Sequence, residues 1–292
     1  MYVLYLFSKV YRLKVLAYNM NNGFQSAKAA GNIERAVRKT SADLITFRPN
    51  HDLFLKLCRN FLIKAGEFCT PCNTLIGTLA YRIAEQNKID LIMSGSSNKW
   101  SPAVHGMSIA RYANRPYFEN VLMGCMDLSE YCGFLPKEKT FYIPGRLTGG
   151  PKQIAVFDYL AINKDEVEKT LQKELEWEPP SDEVEHGDCL LNQIKDYIVC
   201  NKWGFSEITG AYSAMIRNRQ ISREEALVKA EHEEVRTQPP QLDFFLKSIG
   251  MTRHEFDRAI TEHHFTDIPN EESRLYRLTK AVYKSMRSLV PI

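Results

Sequence analysis

Apolar positions along the first half of the chain follow two alternating rhythms. Residues 2–10, YVLYLFSKV, carry them at helical spacing, and LKVLAYNM (13–20) is a short β-rich run ending in the turn signal Asn21-Asn22-Gly23. Residues 26–39 predict a helix with Ser26 as its N-cap, and ADLITFRP (42–49) predicts the next strand, stopped by Pro49. Over 51–64, Leu53, Phe54, Leu57, Cys58, Phe61 and Leu62 form one helical stripe. Leu75, Ile76, Leu79, Ala80 and Ile83 mark a further helix over 72–88, and IDLIMSG (89–95) predicts a third strand.

Strands that alternate with helices imply right-handed crossovers and a parallel sheet covered on both faces. The expected fold is therefore α/β over residues 1–150. Ligands of such sheets bind at the carboxyl ends of the strands, which here are 18–23, 47–50 and 94–97. The second half has a different pattern. Residues 132–153 hold several Gly and Pro and predict an irregular connection, and IAVFDYLAI (154–162) predicts a last strand. Helices follow. Residues 164–177 are stopped by Pro179-Pro180, while Ser222 with Glu225 and Thr252 with Glu255 have the form of capping boxes. This divides the chain into an α/β part, 1–150, and a mostly helical part, 151–292.

Composition narrows the class. Hydrophobic residues at 44% and charged residues at 25% are those of an ordinary globular protein. A net charge of +3 lends no support to a nucleic-acid-coating surface. No apolar run approaches the roughly 20 residues that cross a bilayer. Met1 opens into YVLYLF with no basic region before it, so no secretory signal and a cytoplasmic location are expected. There the seven cysteines are expected as thiols or metal ligands rather than disulfides.

The candidate chemistry centres on Cys69-Thr70-Pro71-Cys72 at a helix start. Two thiols at this spacing can face one point, and the helix N-terminus favours the thiolate form that binds metals. Zinc or an iron–sulfur cluster would need further ligands. Cys189, in Glu185-His186-Gly187-Asp188-Cys189, is the preferred third, with Cys125 and Cys132 as alternatives. The competing reading is a redox pair or two buried thiols. Ser94-Gly95-Ser96-Ser97 follows a strand and can cradle a phosphate or an adenine edge, or be a plain turn; Asn21 to Phe24 allows the same two readings.

Taken in order, YVLYLFSKVYRLKVLAYNMNNGF, DLITFRPN and FCTPCNTLIGTLAYRIAEQNKIDLIMSGSS resemble the PP-loop ATP pyrophosphatase family. The branch resembled is the N-acetyl sugar amidotransferases of surface-polysaccharide (lipopolysaccharide and O-antigen) biosynthesis. FDYLAINKDEVEKTLQKELEW and EHGDCLLNQIKDYIVCNKWGFSEITGAYSAMIRNRQISREEAL resemble that branch's carboxyl-terminal region. The resemblance implies a Rossmann-like, adenine nucleotide alpha hydrolase-like sheet. It implies ATP with magnesium as cofactor, with Asn19, Asn21, Ser94 and Gly95 at the nucleotide and Cys69, Cys72 and Cys189 at a metal. It also implies adenylation of a substrate oxygen, with ammonia from a separate glutaminase subunit then displacing AMP on a nucleotide-linked N-acetyl sugar.

The chain departs from the family at one point. The family's SGGKDS loop, whose backbone N–H groups hold pyrophosphate, does not occur in it. The first strand before that loop is also expected to be missing, which leaves two half-sheets with unpaired edges. Asn21 stands where relatives carry an acidic residue. Two explanations are open, a start assigned too late or a decayed gene, and in either case the chain as written is expected not to catalyse. The alternatives to a sugar amidotransferase are an iron–sulfur-dependent sulfur transferase acting on tRNA and a non-catalytic scaffold that binds a glutaminase.

Overall fold

The computed structural model describes residues 1–97, 114–135, 150–160, 163–179, 188–233 and 235–288. Helix α1 (Tyr2–Tyr5) runs on as π-type turns through Leu6–Val10. Strand β1 (Leu16–Met20), helix α2 (Ala27–Thr40), strand β2 (Asp43–Phe47) and helix α3 (His51–Ala65) follow. The Ser26 hydroxyl accepts from Ala29 N at 3.1 Å, so the expected N-cap of α2 is made. Helix α4 (Thr70–Gln86) starts two residues before the expected Cys72 because Pro71 suits the first turn and Cys69 takes the cap position. Strand β3 (Leu91–Ser94) comes next.

Helices α5 (Arg115–Leu122) and α6 (Leu128–Tyr131) precede β4 (Lys152–Ala155). The last strand is thus shorter and earlier than the expected 154–162: Val156–Asp158 already form a 3-10 turn, and residues 161–162 lie outside the described residues. Of the expected irregular connection, 136–149 lies outside them as well. Helices α7 (Lys164–Leu175), α8 (Asn192–Trp203), α9 (Glu207–Arg217), α10 (Arg223–Glu233), α11 (Leu242–Ser248), α12 (Arg253–Glu262) and α13 (Arg274–Ser288) complete the chain. Thr252 and Glu255 form the full capping box at the start of α12. Among the described residues no helix is long and apolar enough to cross a membrane.

The strands pair in parallel, but as two separate sheets. β1 lies on β2 with Leu16 opposite Asp43 and Met20 opposite Phe47, and β3 lies on β4 with Leu91 opposite Lys152 and Ser94 opposite Ala155. The fold is mixed α/β, with small parallel sheets and a preponderance of helix rather than one continuous sheet. Its main core is built on the α3 stripe: Phe54, Leu57, Cys58, Phe61 and Leu62 are all buried. Tyr117 and Phe118 of α5, Phe245 of α11 and Phe256 of α12 join them. Phe61 and Phe118 meet edge to face at 4.8 Å. Each such side chain stabilises the fold by about 1.5–3 kcal/mol on burial. Two smaller clusters form around α1. One unites Leu6, Val156 and Phe157, and the other Ala36, Leu171 and Leu175.

Candidate functional site

The site forms where the carboxyl end of β1, the start of α4 and the segment before α8 meet. At Asn21-Asn22 the chain leaves β1, and both side chains brace the turn: Gly23 N donates to Asn21 Oδ1 at 3.0 Å and Phe24 N to Asn22 Oδ1 at 2.9 Å. Beyond the turn, Gln25 pairs antiparallel with Cys189, with Leu190 N donating to Phe24 O at 2.9 Å and Ser26 N to Asp188 O at 3.0 Å. This short bridge brings Cys189 to the end of the first strand.

The buried Asn22 amide joins the two halves. Its Nδ2 donates to Cys72 Sγ at 3.6 Å and to Cys189 Sγ at 3.9 Å. Cys69 and the fully buried Cys58 lie close enough to act electrostatically on the same thiols. The structure therefore gathers Cys69, Cys72 and Cys189 and adds Cys58, a residue read from sequence only as part of the α3 stripe. Cys125 and Cys132, the alternative third ligands, are both exposed. His186 lies outside the described residues.

Burial, reinforced by Cys189, pushes Cys72 up to about 12, and burial raises Cys58, Cys69 and Cys189 as well. The expectation that the helix start favours thiolates is thereby corrected: desolvation outweighs the few partial charges of a helix end. The donor chemistry suits zinc or an iron–sulfur cluster. The arrangement does not yet suit either, because among the described residues no group of three or more His, Cys, Asp or Glu is placed to hold a metal ion.

A buried ion cluster lies beside the thiols. Lys195 of α8 contacts Glu207 of α9 at 2.8 Å and Asp196 at 3.3 Å, and its side chain is only 15% exposed. Burial pulls the ammonium down, but Glu207, Asp196 and Cys69 more than reverse this and hold it above the usual lysine value. Glu67, buried just ahead of Cys69, accepts from Thr70 N at 3.0 Å and from Tyr117 Oη at 3.2 Å. Burial raises its carboxyl despite those donors. Nothing in the local sequence marks Lys195 or Glu67, since each gains its partners only through packing.

The residues expected at a nucleotide fall into two places. Asn19 exchanges hydrogen bonds with Gln25 at 3.2 and 3.4 Å. Ser94 Oγ meets Ser96 Oγ at 2.7 Å and accepts from Ser96 N at 3.1 Å, while Ser97 donates to Asp158 at 2.9 Å. Asn19 and Gly95 line a common cavity of about 950 Å³ between the two sheets, and Asn21 stays with the turn near the thiols.

Residues 181–283 match the family model described as LPS biosynthesis protein WbpG-like, C-terminal domain. That match points to lipopolysaccharide biosynthesis. No curated protein matches the chain.

Proposed function

We propose that the chain is a cytoplasmic lipopolysaccharide-biosynthesis protein of the N-acetyl sugar amidotransferase kind. We read its strands as parts of a Rossmann-like, adenine nucleotide alpha hydrolase-like sheet of the PP-loop ATP pyrophosphatases. The observation that supports this reading is the match over 181–283, a stretch that contains Cys189, the residue held with Cys72 on the amide of Asn22.

In this reading an amide oxygen of a nucleotide-linked N-acetyl sugar attacks ATP and becomes an adenylate, releasing pyrophosphate. Ammonia from a glutaminase partner then adds to the activated carbon, and AMP departs with the oxygen. The N-acetyl group becomes an amidine, lighter by the difference between O and NH. ATP with magnesium belongs at the strand ends of Asn19, Asn21, Ser94 and Gly95. Cys69, Cys72 and Cys189 are the proposed ligands of zinc or an iron–sulfur cluster, which requires the thiols to draw together and lose their protons.

The test is affinity purification of the chain from its own cells together with disruption of its gene. A glutaminase subunit should co-elute, and the lipopolysaccharide should lose a modified N-acetyl sugar. Absence of a glutaminase together with an unchanged polysaccharide would overturn the reading.

A further inference from the structure

Helix α13 turns its apolar side to solvent. Leu275, Leu278, Val282 and Met286 recur every three or four residues and form one stripe along it, about 16 Å long. All four are exposed, and the exposure climbs from 43% at Leu275 to 63% at Met286. Tyr276, near the helix start, is buried. Helix α2 separates its apolar and polar residues as sharply, yet there Ala29 and Ala36 are buried. A bared stripe of this kind is the mark of a surface that meets something other than water.

The other residues of the helix indicate what that is. Its charged residues are Arg274, Arg277, Lys280, Lys284 and Arg287, and it contains no Asp or Glu. At about 3.6 residues per turn, Arg277, Lys280 and Lys284 fall opposite the stripe and Arg274 beside it. Arg277 pairs with Glu271, ahead of the helix, at 2.7 Å, and the Lys280 ammonium lies 5.6 Å from the centre of the Tyr276 ring. Thr279, at the edge of the stripe, donates its hydroxyl to Leu275 O at 2.9 Å and so satisfies itself within the helix. Two copies of α13 laid face to face would bring like charges together, which disfavours a second chain as the occupant. An anionic phospholipid surface suits both sides of the helix: the stripe enters the acyl boundary and the headgroups attract the cations. With 15 residues α13 is too short to cross a bilayer and lies along it.

We propose that α13 is an interfacial helix through which the folded chain binds, weakly and reversibly, to an anionic phospholipid surface. Leu275, Leu278, Val282 and Met286 enter the boundary between headgroups and acyl chains. The helix is about 10 Å across with its side chains, so its cations stay within roughly one Debye length of the lipid phosphates. This docking depends on the exposure and charge of one helix and not on the sugar-amidation reading.

The experiment sediments the full chain with vesicles of phosphatidylcholine alone and of phosphatidylcholine mixed equally with phosphatidylglycerol. Two double variants are compared with it, Leu278→Ser with Val282→Ser and Arg274→Glu with Lys284→Glu. The four positions are exposed, so both variants should keep the thermal midpoint of the parent. The parent should bind the mixed vesicles about tenfold or more better than the neutral ones, and each double variant should bind the mixed vesicles about tenfold or more weaker than the parent. Undiminished binding by the serine variant, equal binding of the parent to both kinds of vesicle, or binding to neither would overturn the proposal. Absence of vesicle binding, together with self-association of the parent that the serine variant loses, would overturn it in favour of a second copy as the occupant.

Discussion

Cys72 and Cys189, from opposite halves of the chain, share one hydrogen-bond donor, the side-chain amide of Asn22. The donor stabilises negative charge on both sulfurs, and against it burial keeps them protonated. A metal must displace those protons, so metal uptake should strengthen as pH rises. Chain purified anaerobically from cells supplied with zinc or iron should carry bound metal, and Cys72→Ser and Cys189→Ser should each lower it toward background in elemental analysis. Unchanged metal in Cys189→Ser would remove that residue from the ligand set.

Lys195→Met should destabilise the fold by about 3–5 kcal/mol, because it removes the ammonium that lies 3.3 Å from the buried Asp196 carboxylate. Adding Asp196→Asn to that variant should restore part of the loss. Denaturant unfolding of the two variants measures the difference, and a double variant no more stable than the single one would contradict the pairing.

Glu67 sets a pH dependence of stability. Its folded-state carboxyl is raised above the usual 4.5, so above that pH the folded chain holds a proton that the unfolded chain has lost. The contribution is full below the unfolded value and declines as pH climbs through the folded value. As pH climbs from the usual carboxylate range toward neutrality, Glu67→Gln should therefore lose less stability than the parent chain. Thermal midpoints across that range test it, and parallel curves for the two proteins would refute it.

Gly66 ends α3 with φ of +62°. A Cβ there would collide with the carbonyl oxygen of His263 and with the Lys202 amine that donates to it. Gly66→Ala should cost about 1–3 kcal/mol from backbone conformation, with the collision adding to it. A variant as stable as the parent in urea would show that the carboxyl-terminal segment can move aside freely.

Incubated with ATP, magnesium and nucleotide-linked N-acetyl sugars, the 292-residue chain should release no pyrophosphate. Positioning and stabilising the phosphates is the larger part of what such a site contributes. A coupled pyrophosphate assay measures it, and sustained release would show that the SGGKDS loop is dispensable here.

Local pattern alone determined much of this protein. The spacing of Phe54, Leu57, Cys58, Phe61 and Leu62 defined the buried face of α3, Ser26 and Thr252 marked helix starts, and three short apolar runs located β1, β2 and β3. These signals are written within a few residues, where periodicity and capping chemistry act. The sequence also pointed to Cys69, Cys72 and Cys189 as one group, but not to what surrounds them. Only the tertiary structure decided that Asn22 joins Cys72 to Cys189, that Cys58 and Lys195 stand beside them, and that burial rather than the helix start sets their protonation. The brevity of β4 and the short helices α5 and α6 likewise depend on what they pack against. The division of the four described strands into two pairs is the clearest case: each strand's residues state that it is extended and apolar, but which strands pair is decided only through contacts between segments far apart in the chain.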